Sequence, residues 1–398
     1  MTMWHVLDAG SIWIKEFASA LSRRVDVQTW IPEMRWTGLF ETWRREETLE
    51  DPPLRPVLFP LQRGYARFPL SVLPWARAVH RMMMDMSNDE DSVLICTTPF
   101  YAPVAEAWKG PVIYYLTDFN AGYVGVNAEQ IHALDRRMAN VASLVCPNSE
   151  RTGRYLVDQG CPPEKVLVIP NATREKNIPA EPLLEPAPLP EDLAALPRPV
   201  AGVLGNLASN MDWLLLRETI RRTPSISWAF IGPVNMDIPD PDQRAARGEL
   251  IQMGGRVMFT GPKPYGALQE YSRCLDVAVM PYVRKEPTFS GSATRFYEHL
   301  AACRPILALP GVEELLSKEP LLRLVNSAQD MTTELGKLKA TNFRDGLERM
   351  RWEASREGTW ECRAESMIAK AAELGLCKTL PAEAVSSPVA AAKAFSFS

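Results

Sequence analysis

Short apolar runs closed by turn residues alternate along this chain with longer stretches of helical period. MWHVLDAG reads as a first strand, SIWIKEFASALSRR as a helix and VDVQTWIP as a second strand. SVLICTTP, PVIYYLTD and ASLVCPNS follow as buried strands, with helices over about 101–109, 128–140 and 149–160, and KVLVIPNA reads as one more strand. Strands that are almost continuously apolar and alternate with helices predict a doubly wound, mostly parallel α/β sheet. Residues 178–199, IPAEPLLEPAPLPEDLAALPRP, are rich in proline and acid and read as an extended linker. The pattern then restarts. PVAGVLGN, SWAFIGPV, RVMFTGP, LDVAVMPY and RPILALP read as strands, DWLLLRETIRRT and GALQEYSRC as helices, and helical stretches run over about 329–340 and 342–376. Residues 380–398 are Ala/Ser/Pro-rich without apolar period, the composition of a disordered tail.

This pattern divides the chain into an α/β half at 1–177, the linker at 178–199 and a second α/β half at 200–360. In sheets of this kind ligands sit beyond the carboxyl ends of the strands, so a cleft between two such halves is the expected place for chemistry. A length of 398 residues agrees with two or three domains, and 46% hydrophobic with 23% charged residues is ordinary for a soluble globular chain. A net charge of −4 gives no support for a nucleic-acid partner. Seven scattered cysteines, never in CxxC spacing, read as buried thiols of a reducing compartment; four dispersed histidines do not suggest a metal site. No apolar run reaches the roughly 18 residues of a membrane span, and the first residues read as a strand instead of a leader. The expected location is the cytoplasm.

The densest chemistry lies at 281–310, PYVRKEPTFSGSATRFYEHLAACRPILALP. A strand ends at Pro281-Tyr282, and a loop of small residues (Ser290, Gly291, Ser292, Ala293, Thr294) enters a helix carrying Arg295 and Glu298. Such an entry points backbone N–H groups at one place, which suits a diphosphate. Arg295 adds a permanent forked cation, and Glu298, one turn on, offers acceptors for ribose hydroxyls. Phosphate donors beside a hydroxyl acceptor are what a nucleotide-diphosphate sugar requires. In the first half, VIYYLT runs into Asp118. A carboxylate at the end of a buried strand is partly desolvated and becomes a better base toward a sugar hydroxyl; the bland alternative is a turn cap. Asp8, beside the Gly10-Ser11 turn, is a weaker competitor, and His5, inside its strand, reads as packed. Residues 33–82 interleave Arg63, Arg67, Arg77 and Arg81 with Tyr65, Phe68, Leu70 and Trp75. That mixture suits a membrane interface, although helices packed on the sheet with solvated arginines are the commoner origin.

PVAGVLGNLASNMDW, SWAFIGPV, RVMFTGPKPYGALQEYSRCLDVAVMPY and the 281–310 segment together resemble the donor half of GT-B glycosyltransferases. The likeness is to bacterial enzymes that build polysaccharides and cell-surface glycans, including the teichuronic acid biosynthesis type. PVIYYLTDF, LDRRMANVASLVCPNSERTGRYLV and VLVIPNAT match that type in order and spacing, and the resemblance covers about residues 93–375. It implies two Rossmann-like domains facing across a cleft, with a last helix at 361–379 crossing back onto the first domain; Trp352 and Trp360, in the long C-terminal helical stretch, read as packing residues. It implies transfer of a sugar from a nucleoside-diphosphate donor, with UDP the nucleotide, to a hydroxyl of a glycan or lipid-linked acceptor, without cofactor or metal. The donor would be held by Gly205, Asn206, Lys263, Tyr282, Ser292, Ala293, Thr294, Arg295 and Glu298, with Lys263 and Tyr265 in the turn near the base. Asn171 resembles the family's hinge element. Many retaining members carry a second Glu eight positions before Glu298; here that position is Ser290, which moves the catalytic weight to Asp118 as general base, with Arg295 on the leaving group. A lipid-linked acceptor implies peripheral attachment to the inner membrane face through 60–82. Alternatives from other classes are a GT-B-fold sugar-nucleotide epimerase or phosphorylase, and a non-catalytic nucleotide-sugar-binding protein.

Overall fold

A computed structural model describes residues 2–33, 56–60, 69–85 and 92–377. The chain forms two compact units, one made of Met1–Asn171 with the chain from Trp360 onward, the other of Ala172–Thr359. In the first unit β1 (Met3–Leu7), β2 (Asp26–Glu33), β3 (Val57–Pro60), β4 (Ser92–Cys96), β5 (Val112–Leu116) and β6 (Leu144–Pro147) form one sheet in the order β3-β2-β1-β4-β5-β6. Every neighbouring pair is parallel. The order reverses between β1 and β4, which is where a doubly wound sheet opens a crevice at its carboxyl edge. The helices are α1 (Ile12–Ser22), α2 (Pro69–Met84), α3 (Ala102–Ala107), α4 (Ala128–Val141) and α5 (Glu150–Asp158). Residues of β4 and β5 are buried along their whole length, because helices cover both faces of the sheet. Trp75, Val79 and Met83 of α2 join Trp30, Phe59 and Tyr114 in the core, while Arg77 and Arg81 face solvent. The apolar side of this helix is thus packed on the core and its two arginines point outward. Arg63, Tyr65, Arg67 and Phe68 lie outside the described residues, as does the 380–398 tail.

The second unit repeats the winding. Its elements are β7 (Val200–Leu204), α6 (Trp213–Arg222), β8 (Ser227–Ile231), α7 (Pro241–Met253), β9 (Val257–Gly261), α8 (Leu268–Cys274), β10 (Val277–Met280), α9 (Thr294–Ala302), β11 (Ile306–Ala308), β12 (Arg323–Leu324), α10 (Ala328–Ala340) and α11 (Glu348–Glu357). The sheet order is β12-β11-β10-β7-β8-β9, again wholly parallel, with the reversal between β7 and β10. The last helix, α12 (Trp360–Glu373), returns to the first unit and packs on α1. It buries Trp360, Ala364, Met367, Ile368 and Ala371, and Glu361 and Glu365 pair with Arg23 (2.8 Å) and Arg24 (2.5 Å). The second unit closes on itself at its two ends. The Thr173 N–H donates to the Gly358 carbonyl at 2.9 Å, and Thr173 bridges Thr359.

Four local expectations change. The stretch 342–376 is not one helical run: it breaks at Gly358-Thr359, and its two helices belong to different units. KVLVIPNA is extended but is not a strand. Leu167 and Ile169 donate to the Val145 and Pro147 carbonyls, yet Pro147 has no N–H to return, so pairing stops at the single Val145–Val166 bridge. Residues 178–199 are not a free spacer, since they belong wholly to the second unit. Leu193 and Leu196 are buried there, the Ala187 N–H donates to the Arg273 carbonyl, Trp352 Nε1 reaches the Pro179 carbonyl, and Arg198 pairs with Asp276. Finally, the apolar pattern between β8 and β9 predicts no helix, yet α7 forms there, announced by Asp240-Pro241. Asp240 accepts from the Asp242 and Gln243 N–H groups, and proline stands at the first helical position.

Among the described residues no helix is long and apolar enough to cross a membrane. The seven cysteines are free thiols, five of them buried.

Candidate functional site

In the second unit the carboxyl ends of β7, β8 and β9 close on glycine. Gly205, Gly232 and Gly261 all have positive φ, and a Cβ on Gly232 would stand 1.9 Å from the Gly205 carbonyl oxygen. Only glycine lets these two backbones approach so closely, leaving a bare peptide rim at the sheet edge. Across the reversal, β10 delivers Tyr282, whose hydroxyl lies 3.8 Å from the Cβ position of Gly205. Arg295, from the first turn of α9, lays its Nε 3.4 Å from that same position. Its Nη1 donates to Glu298 Oε2 at 2.5 Å, and its guanidinium lies 5.9 Å from the centre of the Tyr265 ring. Glu298 is 2% exposed, so the pair is not the solvent-facing couple that i,i+3 spacing allows. Burial opposes the charge on Arg295 most strongly, but Glu298, Tyr265 and Tyr282 together outweigh it and hold the guanidinium above its ordinary range. Gly205, Tyr282, Arg295 and Glu298 are thus brought together at the switch point of this sheet.

The other predicted donor residues stand differently. Lys263 reaches Asp192 at 2.6 Å and lies over Tyr271; the hydrogen bond to Asp192 raises its pKa. Asn206 is exposed at the strand end and Thr294 is half-buried in the first turn of α9. Glu314 accepts from Ser292 Oγ and from the Ala293 N–H, both at 2.8 Å, and from the Tyr297 hydroxyl. A carboxylate of the chain's own therefore sits at the entry of α9 where the loop pattern suggested phosphate donors. Ser290, which replaces a glutamate in the resemblance, is itself held by one: Glu286 accepts from its hydroxyl at 2.7 Å and from its N–H at 3.1 Å. Neither carboxylate was singled out in the sequence, although Glu286 is only four residues from Ser290. Arg174 was missed as well. Its guanidinium lies 4.7 Å from the centre of the Tyr265 ring and its Nη1 is 3.5 Å from the Cβ position of Gly266. Nothing in the sequence links positions so far apart.

In the first unit Asp118 lies half-buried just past β5. Its Oδ1 accepts from the Phe119 N–H at 3.0 Å, and its Oδ2 accepts from the Tyr123 hydroxyl in the following loop. Burial raises its pKa, and these two donors pull in the other direction without cancelling the rise. Asp8, at φ 65°, accepts from the Tyr101 hydroxyl at 2.9 Å. His5 is packed, as its place in the strand predicts: Trp30 Nε1 donates to its Nδ1 at 3.0 Å, and burial lowers its pKa to about 4.

No family model matches the chain. A putative teichuronic acid biosynthesis glycosyltransferase of Bacillus subtilis (strain 168), TuaH, is 23% identical over 167 residues, which is 41% of this chain and 40% of that protein. The chain thus matches well under half the length of this curated relative. Among solved structures, Anabaena HepE in complex with UDP and glucose superposes with a TM-score of 0.66 at 15% identity, covering 94% of this chain and 99% of HepE. Sucrose-phosphate synthase from Thermosynechococcus elongatus gives a TM-score of 0.68 at 15% identity over 94% and 99% of the two chains. The structural neighbours are GT-B glycosyltransferases, so two Rossmann-like units of the GT-B fold are what this chain has.

Proposed function

We propose that the protein transfers a sugar from a nucleoside-diphosphate donor, a UDP-sugar, to a hydroxyl of a glycan or lipid-linked acceptor. The observation that carries this reading is the convergence of Arg295, Glu298 and Tyr282 on the bare Gly205 rim, at the point where the second sheet reverses its strand order. Close peptide approach and a guanidinium suit a diphosphate, and a buried carboxylate beside them suits ribose hydroxyls. The presence of UDP with HepE supports the choice of nucleotide.

In the reaction the bond from the anomeric carbon to the diphosphate oxygen breaks as the acceptor oxygen bonds to that carbon. The departing diphosphate keeps the electron pair, and Arg295 stabilises the charge it gains. Asp118 takes the acceptor proton, and a carboxyl with a raised pKa holds that proton better than an exposed aspartate does. An arginine supplies here the charge stabilisation that other enzymes draw from a divalent cation, so the reading needs no metal.

Isothermal titration with UDP, GDP and ADP tests the donor assignment. Wild-type protein is expected to bind UDP most tightly, and Arg295→Ala to lose roughly tenfold or more in affinity, as for a lost hydrogen bond to a charged group. Equal affinity in both proteins would refute it. The lipid-linked acceptor extends the proposal to peripheral attachment through 60–82. Cosedimentation with anionic vesicles, weakened by Arg77→Glu with Arg81→Glu, is expected; protein left wholly in the supernatant rules attachment out.

A further inference from the structure

Glu298 can serve a ribose only in the direction that α9 gives it. The helix is nine residues long and is seated on the sheet by Phe296 and Leu300, which pack with Ala278, Met280 and Ile306. Apolar contact is non-directional, so it holds a helix down without fixing its rotation. Successive side chains on a helix stand about 100° apart, which puts Tyr297 and His299 on either side of Glu298. Each is tied to a different neighbour. Tyr297 donates to Glu314, and His299 Nδ1 lies 2.7 Å from Ser272 Oγ of α8. Ser272 and His299 are 0% and 1% exposed, so water does not compete for this bond. No other side chain of α8 bonds to α9 among the described residues; Tyr271 turns to Asp192 and Arg273 to the Asn177 carbonyl.

The direction of the bond follows from burial. Desolvation and the charge of Arg295 push the His299 imidazole down to about 3, so it is neutral near pH 7. A neutral imidazole carries one N–H, and Nε2 is buried without a hydrogen-bond partner. If Nδ1 accepted from Ser272, the N–H would be stranded on Nε2. With the proton on Nδ1, His299 donates to Ser272 Oγ, and the serine hydroxyl is released toward the Glu298 carbonyl oxygen, a long contact of 3.5 Å. Buried N–H groups are almost always paired, whereas an unused lone pair is better tolerated, so burial selects the second arrangement. The connection then runs from α9 to α8 and back to the peptide of Glu298. It is not a hydrolytic pair, because neither side chain is open to a substrate.

We propose that Ser272 and His299 are positioning residues for the donor's ribose, fixing the rotation of α9 so that Glu298 meets both ribose hydroxyls. The inference rests on the donor assignment made above and deepens it. Without this bond, hydrogen bonds steady α9 only on the Tyr297 side of Glu298, and the carboxylate can turn away from the ribose together with Arg295.

The test compares UDP with 2′-deoxyuridine diphosphate, which lacks one ribose hydroxyl, by titration calorimetry of the full chain. Wild-type protein is expected to prefer UDP roughly tenfold, as for one hydrogen bond to a charged group. Ser272→Ala and His299→Gln are expected to bring that preference down to about twofold or less. His299→Asn returns an N–H to the δ position and is expected to restore it. A loss of packing alone weakens both nucleotides alike and leaves the ratio where it was, so the ratio reads positioning apart from stability. Should His299→Gln fail to fold, Ser272→Ala, which deletes a single oxygen, carries the measurement. A wild-type ratio in Ser272→Ala would overturn the proposal, and so would a loss in His299→Asn as large as that in His299→Gln. If Glu298→Gln abolishes the preference while the Ser272 and His299 variants keep it, only this proposal falls. If wild-type protein binds neither nucleotide, or both equally, the ribose role of Glu298 in the donor assignment falls with it.

Discussion

Asp118 has one donor on each carboxylate oxygen, and the two donors differ in kind. The Phe119 N–H is fixed by the backbone, whereas the Tyr123 hydroxyl comes from an exposed side chain in the loop before α4. Burial favours the neutral acid and both hydrogen bonds favour the carboxylate, with burial the stronger. A base must be deprotonated to work. The acid limb of kcat/KM is therefore expected above the ordinary aspartate value of about 4, with activity lost as pH falls through it. Tyr123→Phe removes a donor to the charged form and is expected to move the limb to still higher pH. Asp118→Asn is expected to abolish turnover while UDP affinity is kept. A pH–rate profile of the three proteins checks both statements, and a limb that does not move in Tyr123→Phe would mean that the phenol leaves Asp118 in the working enzyme. The place of Asp118 just past β5 was legible in the sequence because a strand end is a local feature. Its partner was not, because the conformation of the 119–127 loop decides which hydroxyl meets it.

At the scale of elements, what could be read was a short unbroken apolar run or a 3.6-residue repeat. The buried strands β4, β5, β7 and β8 follow from continuous apolar runs closed by turn residues, the helices between them from their period, and the parallel sheet from the alternation of the two. Misses occurred where one residue overrides the pattern, as Pro147 does at the edge of β6, or where a helix announces itself by its cap more than by its period, as α7 does at Asp240. The geometry of the candidate donor site was half legible for a related reason. The loop into α9 has the right composition, but composition does not reveal that Glu314, beyond the next strand, folds back to cap it. Gly232 belongs to this scale, since it sets how closely β7 and β8 end. Its φ of 138° is unfavourable for a side chain, and a Cβ would overlap backbone that cannot swing aside. Gly232→Ala is expected to destabilise the protein by about 3 kcal/mol or more, a drop in Tm of at least about 6 °C, with UDP binding lost as the rim opens. Thermal melts with and without UDP measure both; a variant that melts with wild type would show that the two strand ends are less constrained than this.

For the whole molecule, two duplicated halves were visible in the sequence, and the resemblance put the return to the first unit at 361, one residue past the passage after Thr359. The first passage was not visible: proline-rich composition pointed to 178–199, whereas the chain changes unit after Asn171. Composition marks where a chain is extended, and an extended segment can be pinned along its length by side chains distant in sequence, as Arg198 and Trp352 do here. Removing everything from Trp360 onward strips the first unit of a helix that buries Trp360 and Met367 completely or nearly so. Each large apolar side chain exposed costs about 1.5–3 kcal/mol, a large part of a domain's margin. A 1–359 chain is expected to yield to protease across the first unit while a fragment near 172–359 survives and keeps UDP affinity. Wild-type protection of both units in the truncated chain would contradict this division.

The clasp between Thr173 and Gly358 also sets an order of events in folding. Arg23 and Arg24 meet Glu361 and Glu365 across 338 and 341 residues of chain, a separation at which loop closure is slow and entropically costly. Once the second unit has folded and its ends are tied, that distance along the chain collapses to the first unit's own residues, and α12 emerges next to the point where the chain left. The first unit is then expected to be completed faster once the second has folded, so a sequence change deep in the second unit is expected to slow the assembly of the first.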